Sequence, residues 1–167
     1  MPLSRIVLIV AVALFGLYLL LQFRPRSHQR KELEGSIRVA RNRAHAAKTP
    51  EDRALALADA GEAAAKSRRW TAARGFFLRA MRADPRSTEA VRRASASLST
   101  RPRMAEQLLW RRLGAMSEDE ADHEVHAALA AALASLYEGA LHDSGKARVM
   151  RRLEAFEKGR VGNASAS

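Results

Sequence analysis

The order of apolar and polar positions divides the chain into one uncharged run and a series of helical stripes. "IVLIVAVALFGLYLLLQF", Ile6 to Phe23, holds 18 residues without a charge. At about 1.5 Å per residue, a helix of that length spans about 27 Å, close to the hydrocarbon thickness of a bilayer. A cleaved signal peptide would have a shorter apolar core followed by small residues. Here Leu19 to Arg26 reads "LLLQFRPR", bulky and then cationic. An uncleaved transmembrane anchor is therefore expected at residues 6–23, after a short flank at 1–5.

Beyond Pro25 the period changes. Leu33, Ile37, Ala40, Ala44 and Ala47 recur at spacings of four and three, the apolar stripe of a helix. Thr49-Pro50-Glu51-Asp52 is a helix start, with a hydroxyl cap, Pro at the first helical position and acids in the first turn. That helix runs to about Lys66. After the turn Ser67-Arg68-Arg69, a second helix runs from Trp70 to about Ala83, stopped by Asp84-Pro85. Ser87-Thr88-Glu89 starts a helix to about Ser99, and Thr100-Arg101-Pro102 starts one ending near Gly114. Ser117 and Glu120 form a capping box ahead of a long Ala-rich helix to Tyr137, closed by Gly139. A last helix follows His142-Asp143-Ser144 to about Lys158, and "GRVGNASAS", residues 159–167, is expected to be a disordered tail. The soluble part is thus one all-α domain of helices joined by short turns, with no long linker.

Composition supports helices over strands. Ala, Leu, Arg and Glu dominate, aromatics are 5% of residues, and β-branched residues are sparse beyond residue 40. The chain has no Cys, which excludes disulfides, thiolate metal sites and a Cys nucleophile.

The net charge is +11. Within residues 24–48 eight bases (Arg24, Arg26, Arg30, Lys31, Arg38, Arg41, Arg43, Lys48) face only Glu32 and Glu34, a local excess of +6. Positive charge directly after an apolar span places that side in the cytoplasm. It also suits anionic lipid near Arg24, Arg26, Arg30 and Lys31. The C-terminal domain is accordingly expected in the cytoplasm rather than the periplasm. Nucleic acid would require Arg or Lys clustered on one stable face, with stacking aromatics. The Arg residues at 68, 69, 74, 79, 82, 86, 92 and 93 instead point to several sides of their helices.

A frame of about 34 residues started at Ala54 puts Leu57, Gly61, Trp70, Ala73, Phe77, Ala80 and Pro85 in a telling order. Residues 54–87 in this frame resemble the tetratricopeptide repeat, in which small residues stand at Gly61, Ala73 and Ala80, an aromatic at Phe77 and Pro at Pro85. The departures are Ala60, where the family usually has Leu, and Ala64, where it has an aromatic. The resemblance implies two closely packed antiparallel helices, with the small residues letting the backbones approach and Phe77 and Trp70 filling the space between helix pairs. One repeat cannot bury its own faces. A weaker second unit fits residues 86–116, with Pro102, Ala105 and Leu109 in its second helix. A third fits 117–158, with Ala147 in the place of Ala73, and the stripe at 33–47 would cap the stack. The expected architecture is a small tetratricopeptide-like stack over residues 49–158. The resemblance further implies that the first helix of each pair lines a concave groove for a partner protein or peptide. In the clear repeat the inward positions are Leu55, Ala58, Glu62, Ala65 and Lys66. Leu55 and the two Ala would make an apolar floor, while Glu62 and Lys66 would read peptide charge or simply pair with each other.

Chemistry is sparse. His123-Glu124-Val125-His126 is one residue short of the zinc-protease spacing that sets two imidazoles at i, i+4. No further ligand is evident, so the default is a solvated helix face with no metal. No Gly-rich phosphate loop, nucleophile elbow or cofactor motif is present. The expected function is non-catalytic: a membrane-anchored scaffold that recruits a partner protein. Alternatives are a subunit of an envelope assembly in which the anchor helix makes the contacts, or a basic module for membrane surfaces or nucleic acid.

Overall fold

A computed structural model of the protein describes Phe15, residues 26–116 and residues 123–164. Among these residues the fold is all-helical, with α1 (Arg26–Ala46), α2 (Pro50–Lys66), α3 (Trp70–Ala83), α4 (Thr88–Ser97), α5 (Pro102–Leu113), α6 (His123–Gly139) and α7 (Ser144–Ala164). The span expected at residues 6–23 lies outside the described residues except for Phe15. Among the described residues, no helix is long and apolar enough to cross a membrane. The capping box at Ser117 and Glu120 also lies outside them.

The local signals act as the sequence chemistry requires. The Thr49 hydroxyl accepts from the Asp52 N–H at 3.1 Å, and Pro50 opens α2. Ser87 caps α4 by accepting from the Ala90 N–H at 3.2 Å, and Pro102 opens α5. Just past the end of α2 stands Arg68, a left-handed residue at φ 59°. It turns the chain so that the Arg69 N–H reaches the Ala64 carbonyl at 2.8 Å, satisfying a carbonyl that the helix end would otherwise leave open.

Consecutive helices pack as hairpins, and the hairpins stack. α1 lies on α2, α2 on α3, and α6 on α7. Between hairpins α4 touches both α2 and α6, and α3 touches α5. One row is therefore α2, α4, α6, and behind it run the second helices. The buried residues of α2 are Ala54, Ala56, Ala58, Ala60, Gly61, Ala63, Ala64 and Ala65, small side chains on almost every side. That is what lets three neighbours, α1, α3 and α4, come close to one helix. The ring of Phe77, fully buried, lies on Gly61, where an added Cβ would stand 2.9 Å from Phe77 Cε1. Ala73 and Ala80 are likewise enclosed, Leu57 and Trp70 are half-buried against the core, and Pro85 is exposed after α3. Trp70 also lies under the Arg101 guanidinium.

The last hairpin corrects one boundary. α7 continues through Ala164, so the disordered tail expected from residue 159 does not begin there. No Pro interrupts the stretch, and Gly159 costs a helix only about 1 kcal/mol. The Arg160 guanidinium folds over the Phe156 ring at 5.9 Å.

Candidate functional site

An apolar cleft lies between α4 and α6, with a volume of about 630 Å³. Its walls are short side chains, Ser95 and Ala96 on α4 facing Ala128, Ala131, Ala132 and Ser135 on α6. Leu136 and buried Val91 also line it.

At one rim the cleft is bounded by charge. Arg92 donates to both oxygens of Glu89, at 2.7 and 2.6 Å. Arg93 donates to Glu89 at 2.7 Å and, across the hairpin boundary, to Asp59 of α2 at 2.7 Å. Glu62 adds a longer contact, 3.7 Å from Arg93. The Arg92 guanidinium first, and Arg93 second, hold the Glu89 carboxyl down to about 2. The hydrogen bonds that Arg93 donates to Glu89, and then to Asp59, in turn raise Arg93. The cluster joins α2 to α4.

A second polar chain ties α5 to α6. The Trp110 indole N–H donates to the Tyr137 hydroxyl at 2.9 Å, and that hydroxyl donates to Glu106 at 2.6 Å. Burial, and then the Glu106 hydrogen bond, push the Tyr137 phenol up.

The five residues expected to line a groove on α2 do not meet in one. Ala58 is 0% exposed and Ala65 is buried, because α2 is covered on several sides by its neighbours. Leu55, 39% exposed, lines a depression against α1 beside Arg43, Asp52 and Asp59. Lys66 faces a separate surface with Trp70 and Arg101. Glu62 meets Arg93, not Lys66, since α4 brings a guanidinium within reach. The accessible groove instead belongs to the next two first helices.

The solvated face expected for His123 is also corrected. His123 is only 4% exposed, because the antiparallel return of α7 covers it.

The Arg93 contact and the α4–α6 cleft escaped the linear pattern. One signal for the first was present: Asp59 and Arg93 are 34 residues apart, the length of the frame started at Ala54. The cleft carried none, since Ala and Ser are equally at home in a core or on a surface. No family model, curated protein or solved structure matches the chain.

Proposed function

We propose that the protein is a non-catalytic, membrane-anchored helical-repeat scaffold that holds an apolar segment of a partner protein in the α4–α6 cleft. The cleft is the observation that carries this: it is open, apolar and walled by residues small enough for a backbone to approach. Apolar surface of this kind is covered when a partner segment lays its own apolar face into it. The tetratricopeptide resemblance agrees with it, because α2, α4 and α6 are the first helices of successive hairpins. The uncharged run at residues 6–23 supplies the anchor, and Arg24, Arg26, Arg30 and Lys31 set the domain on the cytoplasmic side beside anionic lipid.

Photocrosslinking in native membranes tests the proposal. A photoreactive residue at Ser95 or Ser135 should give one discrete adduct, and the same probe at exposed Thr71 should not. Ala131→Arg should abolish the adduct without loss of helicity. Equal adducts from Ser95 and Thr71, or an adduct indifferent to Ala131→Arg, would remove the cleft from the function. Adducts only from probes within residues 6–23 would mark the anchor as the contact.

A further inference from the structure

His123 opens α6, and Glu157 stands on the far half of α7, 34 residues later. The hairpin brings them together, with Nδ1 of His123 2.6 Å from Oε2 of Glu157. Both side chains are about nine-tenths buried, at 5% and 10% exposure. The second ring nitrogen, Nε2, is buried with no hydrogen-bond partner. Buried polar atoms are almost always satisfied, and an orphan calls for an explanation.

No placement of protons on the pair resolves the mismatch. With the proton on Nδ1, the ring donates to Glu157 and Nε2 is left a bare lone pair. With both nitrogens protonated, Nε2 becomes a bare buried donor. With the proton on Nε2 alone, that donor is still orphaned and Nδ1 turns a lone pair toward a carboxylate. The first state is the one found in metal-ligating histidines, where a carboxylate holds one N–H and leaves the other nitrogen free for the ion.

A second imidazole is close by. His126 follows one turn later on α6, its ring centroid 6.3 Å from that of His123. One donor atom from each of His123, His126 and Glu157 lies within 4.8 Å of the other two. Donors around a tetrahedral ion with bonds of about 2.0–2.1 Å are about 3.3 Å apart. The closure still required is within the reach of side-chain rotation, above all at His126, which is only half-buried.

We infer that Nε2 of His123 and the imidazole of His126 bind a divalent transition-metal ion, with Glu157 orienting His123 through Nδ1. Imidazole donors suit Zn²⁺ and Co²⁺, whereas Mg²⁺ and Ca²⁺ take oxygen ligands. The Glu157 carboxylate, behind the His123 ring, offsets part of the ion's charge. His126, at the edge, gives the ion its way in, and water completes the coordination. Glu157 ties the site at the start of α6 to α7, so a bound ion strengthens the closure of the last hairpin. It also steadies the α6 wall of the cleft, since Ala128 lies two residues beyond His126. The site does not depend on what the cleft binds.

The test uses the full-length chain without a polyhistidine tag, in non-ionic detergent, after treatment with a chelator. Zn²⁺ should bind at one ion per chain by calorimetry and raise the melting temperature, and Mg²⁺ should do neither. Co²⁺ should develop the visible absorption of a low-coordinate site. His126→Ala, at a half-exposed position, should keep its helicity and lose at least tenfold in Zn²⁺ affinity. Glu157→Gln, close to the same shape, should weaken binding about 10–100-fold. A His45→Ala, His142→Ala double variant should bind as wild type. Absence of one-to-one binding, unchanged affinity in His126→Ala, or loss of binding in the His45, His142 variant would each overturn the site.

Discussion

The seat of the Phe77 ring on Gly61 is a place where a single methyl group can be made to change the sign of its effect. Gly61 lies in α2 beneath the Phe77 ring, and a Cβ there would meet Cε1 and Cζ at 2.9 Å and Cε2 at 3.0 Å. In an exposed helix Gly→Ala stabilises by about 1 kcal/mol. Here the ring is fully enclosed and has no room to retreat, so overpacking should cost about 1–3 kcal/mol. Gly61→Ala should therefore destabilise the protein by up to about 2 kcal/mol, the balance of these two effects. Phe77→Leu removes all three ring atoms and the clash with them. In that background Gly61→Ala should stabilise by about 1 kcal/mol. The double-mutant cycle, read by urea unfolding with circular dichroism, should give a coupling of about 1–3 kcal/mol. If Gly61→Ala is stabilising in both backgrounds, the ring does not rest on Gly61 and the packing of α2 on α3 is not as described.

Arg68 and His142 hold left-handed conformations, at φ 59° and 51°. Arg68→Gly should therefore stabilise by about 1 kcal/mol and raise the melting temperature by roughly 2–4 °C. Tyr137→Phe strips the Trp110 N–H and the Glu106 carboxylate of their shared hydroxyl. It should cost about 1 kcal/mol in urea unfolding, and the loss should persist in Trp110→Phe only if Glu106 is the partner that matters. Glu89 is held down to about 2 by Arg92 and Arg93, from an ordinary value of 4.5. A depressed carboxyl stabilises above its unfolded value, so this contribution should fade as pH falls from about 4.5 toward about 2. Melting curves of wild type should lose stability over that window more steeply than those of Glu89→Gln, and the two should converge below it. Parallel curves would show that Arg92 and Arg93 do not hold the Glu89 carboxylate in the folded protein.

Much of the local structure was legible in the chain. Caps, prolines and acids announced α2, α4 and α5, because a helix end must satisfy its backbone groups with whatever lies next to it in sequence. The tetratricopeptide resemblance carried by Gly61, Ala73, Phe77 and Ala80 implied a close helix pair, while the seating of the Phe77 ring on Gly61 came from the structure. Helix ends marked by weaker signals were misjudged. The stretch from Gly159 carries small and polar residues that fit a tail as well as a helix, and the structure continues α7 to Ala164.

The candidate site was less legible, for a reason of composition. α2 and α6 are rich in alanine, and alanine carries no mark of which side will be covered. The same residue type is enclosed at Ala58 and lines an open cleft at Ala131. Only the packing of α1, α3 and α4 around α2 closed the first surface, and only the spacing of α4 from α6 opened the second. His123 and Glu157, like Asp59 and Arg93, are separated by 34 residues. What the amino-acid sequence determined by itself was the set of helices, since they follow from near neighbours and periodicity; the tight pairing of α2 with α3 was only implied by the tetratricopeptide resemblance. Tertiary structure decided which face would be accessible and which distant charges and imidazoles would meet, because those depend on how one hairpin is seated on the next.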